Sequence, residues 1–219
     1  MTGARARASL VKQSRGGYRC GVMRMPFDSI EDLPDDALLA RFADGDAAAA
    51  RVLTLRLTPR VMAHAFRLLG NRAEAEDVTQ EAMLRLWKQA HDWRSGEAKV
   101  TTWLYRVVAN LCIDRRRRDR GGSVALDAIP EPPDGRASVA QTMQERARAD
   151  ALQAALNALP ERQRQAVVLR HIDGLSNPEI AEIMEITVEA VESLTSRGKR
   201  TLSAALAGRK EELGYADER

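Results

Sequence analysis

Cysteine and aromatic residues are scarce in this sequence. Of its 219 residues, two are cysteines and 4% are aromatic. Cys20 and Cys112 lie far apart in unlike contexts, and no set of cysteine and histidine residues has the spacing of a zinc site. This pattern argues against a disulfide framework and fits a reducing, cytoplasmic compartment. We therefore expect a chain that needs neither a metal nor another cofactor.

Long apolar runs are also absent. No uncharged apolar stretch approaches the ~20 residues that a membrane span requires, so we expect no membrane insertion. Residues 1–24 carry six basic side chains and no acidic one, but they lack the apolar segment of a secretory signal. We expect residues 1–27 to form a disordered leader. Whether this leader contacts nucleic acid stays open. Whether it is translated stays open too, because Met23 and Met25 offer alternative starts.

The total charge does not identify a partner. The net charge is +3, yet the residues after position 24 hold 28 basic and 31 acidic side chains. The positions of the charges therefore matter more than their sum. His64, His91 and His171 are isolated, and no nucleophile–base motif is visible. The sequence thus favours a protein that is not an enzyme.

Helical patterning runs through almost the whole chain. Alanine, leucine, arginine and glutamate are frequent, and strict two-residue alternation is absent. We predict an all-α protein with helices near residues 35–45, 46–69, 72–90, 100–118, 139–159, 160–174, 177–184 and 187–202. Three glycines and three prolines between 121 and 140 predict a flexible, acidic linker. This gives two small helical domains, 28–120 and 141–210, joined by the linker 121–140 and followed by a tail, 211–219.

Residues 175–206 have the pattern of a helix-turn-helix. The first helix is predicted at Asn177 to Met184, and Ile180, Ala181 and Ile183 are predicted to face inward. The second helix follows the turn and continues to Leu202, and its exposed face would enter the major groove of DNA. A helical hairpin with a solvated charged face would give much the same pattern, so this motif alone does not decide between the two.

Three longer segments resemble a known family. They are AEDVTQEAMLRLWKQA, TTWLYRVVANLCIDRRRR and GLSNPEIAEIMEITVEAVESLTSRGKRTL. The first two resemble regions 2.2 to 2.4 of the sigma-70 family, in its extracytoplasmic-function (ECF) branch, and the third resembles region 4.2. The resemblance covers about residues 35–208, with both regions in the expected order. It implies two domains, a sigma region 2 helical bundle and a sigma region 4 helix-turn-helix.

The first segment carries a predicted contact with RNA polymerase. Asp77, Gln80 and Glu81 are spaced to lie on one helix face. A solvated acidic face is the alternative from spacing alone. The resemblance implies that this face contacts the core enzyme, with Arg85 as a neighbour. The predicted polymerase set is Asp77, Gln80, Glu81, Leu84 and Lys88.

The second segment carries a predicted contact with melted DNA. Four consecutive arginines exceed what a helix C-terminus needs, and aromatic residues beside basic ones suit unstacked bases. The resemblance implies recognition and melting of the promoter −10 element. We interpret Trp87 as a core residue. Core packing stays an alternative for Trp103, and a buried amide with satisfied hydrogen bonds stays an alternative for Asn110. The predicted −10 set is Trp93, Lys99, Thr101, Trp103, Arg106, Asn110, Arg115, Arg116, Arg117 and Arg118.

The third segment implies recognition of the duplex −35 element. Serine and arginine side chains reach phosphates and base edges. Glu192 departs from the commonest pattern of the branch, where an arginine often stands. It could accept from a cytosine amino group, or it could form an ion pair with a neighbouring arginine. The predicted −35 set is Arg170, Thr187, Glu189, Glu192, Ser193, Ser196, Arg197 and Arg200.

Together these features predict a sigma factor. Such a protein binds core RNA polymerase and directs promoter-specific initiation, and the family implies an anti-sigma factor as a further partner. The alternatives are a stand-alone helix-turn-helix regulator that binds duplex operator DNA, and a sigma-like protein that binds polymerase without initiating.

Overall fold

Helices account for the regular structure of the protein. The computed structural model describes residues 29–94, 96, 98–119 and 139–209. Over these residues no strand is present, and the predicted all-α fold is confirmed. The predicted leader, positions 121–138 of the predicted linker and the predicted tail lie outside the described residues. The helices are α1 Asp35–Ala43, α2 Ala47–Leu69, α3 Arg72–Gln89, α4 Val100–Asp119, α5 Val139–Ala158, α6 Glu161–Val167, α7 Asn177–Met184 and α8 Val188–Ala207.

Polar caps and one glycine set the helix boundaries in the first part of the chain. Asp46 Oδ1 accepts hydrogen bonds from the backbone N–H groups of Ala48 and Ala49, at 2.9 and 3.3 Å, at the start of α2. Gly70 ends α2 with a φ of 76°, a left-handed conformation that glycine adopts without a steric cost. Asn71 caps α3 through its side chain. These caps satisfy backbone groups that helix ends leave open.

The path between α6 and α7 differs from the predicted single helix. A π-helical turn, Val168–Ile172, follows α6, and the N–H of Asp173 donates to the carbonyl of Val168 at 2.9 Å. A π turn holds one residue more per hydrogen-bonded ring than an α turn. Val168 is buried in one apolar cluster and Leu169 in a second cluster. The extra residue of the π turn thus lets two consecutive residues, Val168 and Leu169, pack in two different clusters, which helical periodicity does not predict.

The amino-terminal unit, residues 29–119, is built around α2. Helices α1, α3 and α4 all pack against it. Six leucines of this unit are fully buried: Leu38, Leu39, Leu53, Leu57, Leu86 and Leu104. Each fully buried leucine contributes about 1.5–3 kcal/mol, because its apolar surface leaves water.

The carboxy-terminal unit, residues 139–209, contains the helix-turn-helix. Ile180 and Ile183 of α7 are buried together with Val191 of α8, as predicted for the inward positions of α7. Helix α8 continues to Ala207, beyond the predicted end at Leu202. The helix-turn-helix is therefore a packed pair and not two exposed helices.

The two units share one apolar cluster. Leu156, Leu159 and Val168 belong to the same cluster as Leu68 and Leu69 at the end of α2. The side chain of Arg164, 2% exposed, crosses the boundary. Within the described residues, none of the helices combines the length and the apolar character that crossing a membrane requires.

Candidate nucleic-acid interface

The predicted −35 set lies on the outside of the helix-turn-helix. Six of its members are on α8 at spacings of three and one, which places them on one helix face. Every one of these six side chains is exposed: Glu189, Glu192, Ser193, Ser196, Arg197 and Arg200. The opposite face of α8 carries the buried Val191 and Gly198. The exposed face therefore has the form of a recognition helix.

Caps hold the helix-turn-helix in shape. Ser176 and Glu179 form a capping box at the start of α7, and Thr187 Oγ1 accepts from the N–H of Ala190 at 3.3 Å at the start of α8. Glu185 stands between the helices with a φ of 54°. This left-handed residue makes the turn tight, and in a residue with a side chain such a conformation costs energy that packing must offset.

Glu192 is held by an amide. Asn177 Nδ2 donates to Glu192 Oε1 at 3.3 Å, which joins the start of α7 to the exposed face of α8. In the described part of the chain, Glu192 has no arginine within ion-pair distance. The structure thus gives Glu192 an amide partner and not the neighbouring arginine that the sequence offers as one alternative.

Arg170 lies apart from α8 in sequence but near it in space. It is on the π turn, is exposed, and its guanidinium donates to the carbonyl of Leu175 at 2.9 Å. The pKa of His171 is lowered by partial burial and by the charges of Lys199 and Arg170. Arg170 and Lys199 therefore both act electrostatically on His171.

The predicted −10 set divides into members that contact the other unit or the core and members that do not. Lys99 and Arg106 both contact α7 of the other unit. The indole rings of Trp93 and Trp103 meet edge to face, with centroids 6.1 Å apart. The Nε1 atom of Trp93 is buried without a hydrogen-bond partner. Both rings pack against the core cluster, so part of each indole surface contributes to core packing.

The remaining members of the −10 set lie further along α4. Asn110 is exposed, which excludes the alternative of a buried, satisfied amide. Arg115 forms an ion pair with Asp77, and Arg116 donates to the carbonyl of Leu69 at 3.3 Å. Arg117 and Arg118 are exposed. The four consecutive arginines therefore have different environments, and the last pair is the most accessible.

Four members of the predicted polymerase set line a groove between α3 and α4, and the fifth, Lys88, lies on α3 outside that lining: the four are Asp77, Gln80, Glu81 and Leu84. All five side chains of the set are exposed, and Leu84 is 52% exposed. The groove has a volume of about 430 Å³ and also contacts Arg115 and Leu111. The groove thus combines this exposed leucine with charged side chains of both signs. Trp87, interpreted as a core residue, is on the other side of α3, where its ring centroid lies 4.8 Å from that of Phe42.

Several important residues were not found from the sequence. Arg164 donates to the carbonyls of Leu68 and Leu156, each at 2.7 Å, and to two more carbonyls. His64 Nδ1 lies 2.7 Å from Asp173 Oδ2 in a nearly buried pair. These contacts join residues too far apart for a local pattern to predict, and Arg164 stands in the polar stretch ERQRQ, which gives it no distinguishing signal.

Acidic groups on α7 complete the site. Lys99 Nζ lies 2.7 Å from Glu179 Oε1. Hydrogen bonds from Lys99 and Ser176 lower the pKa of Glu179 to about 2, and the same contact raises the pKa of Lys99. Among the described residues, no group of three or more histidine, cysteine, aspartate or glutamate side chains has the arrangement of a metal site.

Known proteins resemble both units. The family profile described as Sigma-70 region 2 matches residues 53–121, and the profile described as Sigma-70, region 4 matches residues 149–202. The ECF RNA polymerase sigma factor SigE of Mycolicibacterium smegmatis is 35% identical over 182 residues, which cover 80% of this chain and 69% of that relative. SigW of Bacillus subtilis, an ECF RNA polymerase sigma factor, is 33% identical over 151 residues, covering 64% of this chain and 80% of SigW.

Two solved structures share the fold. Sigma factor RpoE in complex with the anti-sigma factor NepR, from Bartonella quintana, has a TM-score of 0.57 and 22% identity, covering 70% of this chain and 94% of RpoE. CnrH in complex with the cytosolic domain of CnrY has a TM-score of 0.59 and 26% identity, covering 80% of this chain and 97% of CnrH.

Proposed function

The chain belongs to the ECF branch of the sigma-70 family and acts in promoter-directed transcription initiation, and we propose that three of its surfaces divide this work. The α3 groove binds core polymerase, α4 and the loop before it bind the −10 strand, and α8 binds the −35 duplex. The observation that carries the proposal is the presence of both sigma regions in one chain, each with its predicted contact face on a helix.

The polymerase contact is proposed for Asp77, Gln80, Glu81, Leu84 and Lys88. Exposure of the whole set along one face of α3 supports this assignment. Burial of Leu84 in a complex would contribute the apolar part of the binding, and the surrounding charges would set orientation. Bond formation then belongs to the polymerase, and the chain supplies recognition within the cytoplasm.

The −10 contact is proposed for α4 and the aromatic pair before it. Arg117 and Arg118 neutralise phosphates, Lys99 and Arg106 hold the strand, and Trp93 and Trp103 stack or cradle an unstacked base. An extruded base needs a fitted pocket, because unstacking costs a few kcal/mol. The buried, unpartnered Nε1 of Trp93 supports a role for this side chain, since such an atom gains a partner from an acceptor on a base.

The −35 contact is proposed for the exposed face of α8. Arg197 and Arg200 are the best candidates for phosphate or guanine contacts, and Ser193 and Ser196 lie beside them. Glu192 accepts from a cytosine amino group in this proposal. The amide of Asn177 supports it by holding the carboxylate at the start of the recognition helix.

An anti-sigma factor is proposed as a further partner. The solved structure of RpoE from Bartonella quintana contains the anti-sigma factor NepR, and that of CnrH contains the cytosolic domain of CnrY. The similarity of this chain to both supports a partner of the same kind.

Run-off transcription tests the proposal. Purified core polymerase is combined with the protein on a template from the region upstream of its own gene. We expect a defined transcript that depends on the protein. Stable co-elution with core polymerase without any transcript would indicate a sigma-like protein that does not initiate there. Tight binding to duplex DNA without co-elution would instead identify a stand-alone regulator.

Matched variants test the surfaces. Leu84→Ala should weaken binding to core polymerase by roughly fivefold to tenfold, because an apolar anchor is lost. Leu55→Ala is the control, since Leu55 is 68% exposed on α2 of the same unit and outside the groove. Arg197→Ala should lower promoter binding without changing binding to core polymerase, and Arg51→Ala on α2 is its exposed control. Equal effects of a variant and its control would contradict that surface assignment.

A further inference from the structure

Another groove lies where α2 and α4 meet the segment that follows α6. Arg60, Ala63 and Arg67 of α2 form one wall, and Thr101 and Tyr105 of α4 form a second wall. The groove has a volume of about 550 Å³, within the range of roughly 300–1,000 Å³ that is typical of small-molecule sites. Neither arginine belongs to the predicted polymerase set or to the predicted promoter sets.

We propose that this groove binds a phosphorylated small molecule that carries a ring, of the nucleotide class. The two arginines bind the phosphate groups of this ligand, and the apolar residues of the groove cover its ring. The inference goes beyond the proposed function, because such a ligand is neither promoter DNA nor RNA polymerase.

The α2 wall offers two guanidinium groups for phosphate. Arg60 is exposed, and within the described part of the chain it has no hydrogen-bond or ion-pair partner. Arg67 Nη1 lies 3.7 Å from Asp173 Oδ1, which is longer than a hydrogen bond. Ala63 stands on the same helix face, three residues after Arg60 and four before Arg67. Because guanidinium groups bind phosphate oxygens in pairs, this wall presents two phosphate anchors with a small side chain between them.

Asp173, the one acidic residue of the groove lining, does not cancel both positive charges. Its Oδ2 atom lies 2.7 Å from His64 Nδ1, so this carboxylate already has a partner beside the groove. The charges of the groove also reach the Tyr105 hydroxyl. Burial and Asp173 raise the pKa of Tyr105, and Arg60 and Arg67 lower it. The two arginines therefore leave a surplus of positive charge in the groove, which an anionic ligand would neutralise.

Apolar and hydroxyl-bearing residues complete the groove. Pro59 lies on the α2 side, and Ile172 and Leu175 lie on the side of the segment after α6. Thr101 and Tyr105 bring hydroxyl groups, which both donate and accept hydrogen bonds. Apolar walls with a few polar groups are typical of sites that hold ring-containing ligands. A ligand with phosphate groups alone would leave the apolar walls uncovered, and for this reason we infer a ring.

Isothermal titration calorimetry of the full-length chain tests the ligand class. The probes are inorganic pyrophosphate and the four ribonucleoside diphosphates ADP, GDP, CDP and UDP. We expect at least one nucleotide to bind roughly tenfold more tightly than pyrophosphate, because its ring covers apolar surface. Equal affinity for pyrophosphate and all four nucleotides would contradict the inferred ring. Absence of binding by all five probes would overturn the proposal.

The variant Arg60→Gln tests the phosphate contact without loss of an internal partner. We expect the affinity for the tightest nucleotide to fall roughly tenfold, because a charge-assisted contact is lost. The thermal midpoint of the ligand-free chain should stay unchanged. Arg51→Gln is the matched control, since it removes the same charge from an exposed position of α2 outside the groove lining. Equal losses of affinity in the two variants would indicate general attraction of anions and would contradict the site.

Single-stranded DNA distinguishes a free ligand from the promoter strand. Thr101 belongs to both the groove and the predicted −10 set, so DNA phosphates are the other source of this chemistry. We expect Arg60→Gln to leave the affinity for a mixed-sequence oligonucleotide unchanged. If Arg60→Gln weakens oligonucleotide binding and no nucleotide binds, Arg60 contacts the DNA strand and the proposal is wrong. These assays use neither polymerase nor promoter, so their failure is distinguishable from failure of the proposed function.

Discussion

Arg164 shows how one buried side chain organises this molecule. Its guanidinium donates to the carbonyls of Leu156, Leu68, Asn157 and Leu159, at 2.7 to 2.9 Å. These carbonyls lie at or after the C-terminal ends of α5 and α2, where helices leave acceptors without intrahelical partners. A planar group with five N–H donors matches this task better than a lysine ammonium does.

Replacing Arg164 therefore has a large expected cost. Arg164→Ala leaves buried carbonyl groups without donors, and we expect the free energy of unfolding to fall by about 3–5 kcal/mol. Arg164→Lys should recover only part of this loss. Urea unfolding measures both. Arg162→Ala, an exposed neighbour on α6, should stay within about 0.5 kcal/mol of the unmodified chain; a similar loss there would show that α6 is sensitive throughout.

The lowered pKa of Glu179 predicts that the stability of the fold falls as the pH is lowered. Its pKa is lowered from 4.5 to about 2, first by the hydrogen bond from Lys99 and then by those from Ser176. A lowered pKa in the folded state stabilises the fold above the unfolded value, and this stabilisation is lost as the pH falls. The thermal midpoint of the unmodified chain should exceed that of Glu179→Gln at pH 6. The gap should shrink between pH 4.5 and about pH 2; a gap that widens on acidification would contradict the assignment.

Individual elements follow the sequence closely where their signals are local. Helix α7 has the predicted bounds, and Thr187 and Asp46 cap α8 and α2 close to their predicted starts. The sigma-70 family, the all-α fold and the role in initiation are confirmed. Lys99 and Glu179 are 80 residues apart, and no helical periodicity reports a contact over that separation. Local patterns thus predict elements and their exposed faces, and they leave the contacts between the units unpredicted.

The close approach of α6 and α8 gives a test at the level of elements. A Cβ at Gly198 would meet Val167 Cγ2 at 2.5 Å and the carbonyl oxygen of Gln163 at 3.1 Å. Gly198→Ala should destabilise the chain by about 1–3 kcal/mol, because the backbone oxygen cannot move aside easily. Gly208→Ala at the end of α8 is the control, since nothing lies within 4 Å of its Cβ position. Thermal unfolding compares them, and an unchanged midpoint for Gly198→Ala would show that α6 shifts freely.

At the scale of the whole molecule, the two units behave as one body in this structure. The cluster that contains Leu53 and Leu86 continues to Leu156 and Val168 without a break. Two domains joined only by a linker would each have a closed core of their own. The −10 and −35 surfaces are therefore presented by a molecule whose halves are packed together.

Hydrogen exchange tests this continuity. In the free chain, the amides of α2 and α6 should be protected to a similar degree and should exchange together as denaturant is added. In the complex with core polymerase, we expect the protection of α6 to become independent of that of α2. Separate exchange of the two helices in the free chain would show that the amino-terminal and carboxy-terminal units unfold independently.

The packing of the two units also affects the apparent affinity for core polymerase. If core polymerase binds only molecules whose two units are separated, the apparent dissociation constant equals the intrinsic one divided by the separated fraction, so a separated fraction of about 1% weakens binding by about a hundredfold. Substitutions at the boundary, far from the groove of Leu84, would then change how well this sigma factor competes for a limited pool of polymerase. The side chain of Arg164 would in this way help to decide how many polymerase molecules the cell assigns to its promoters.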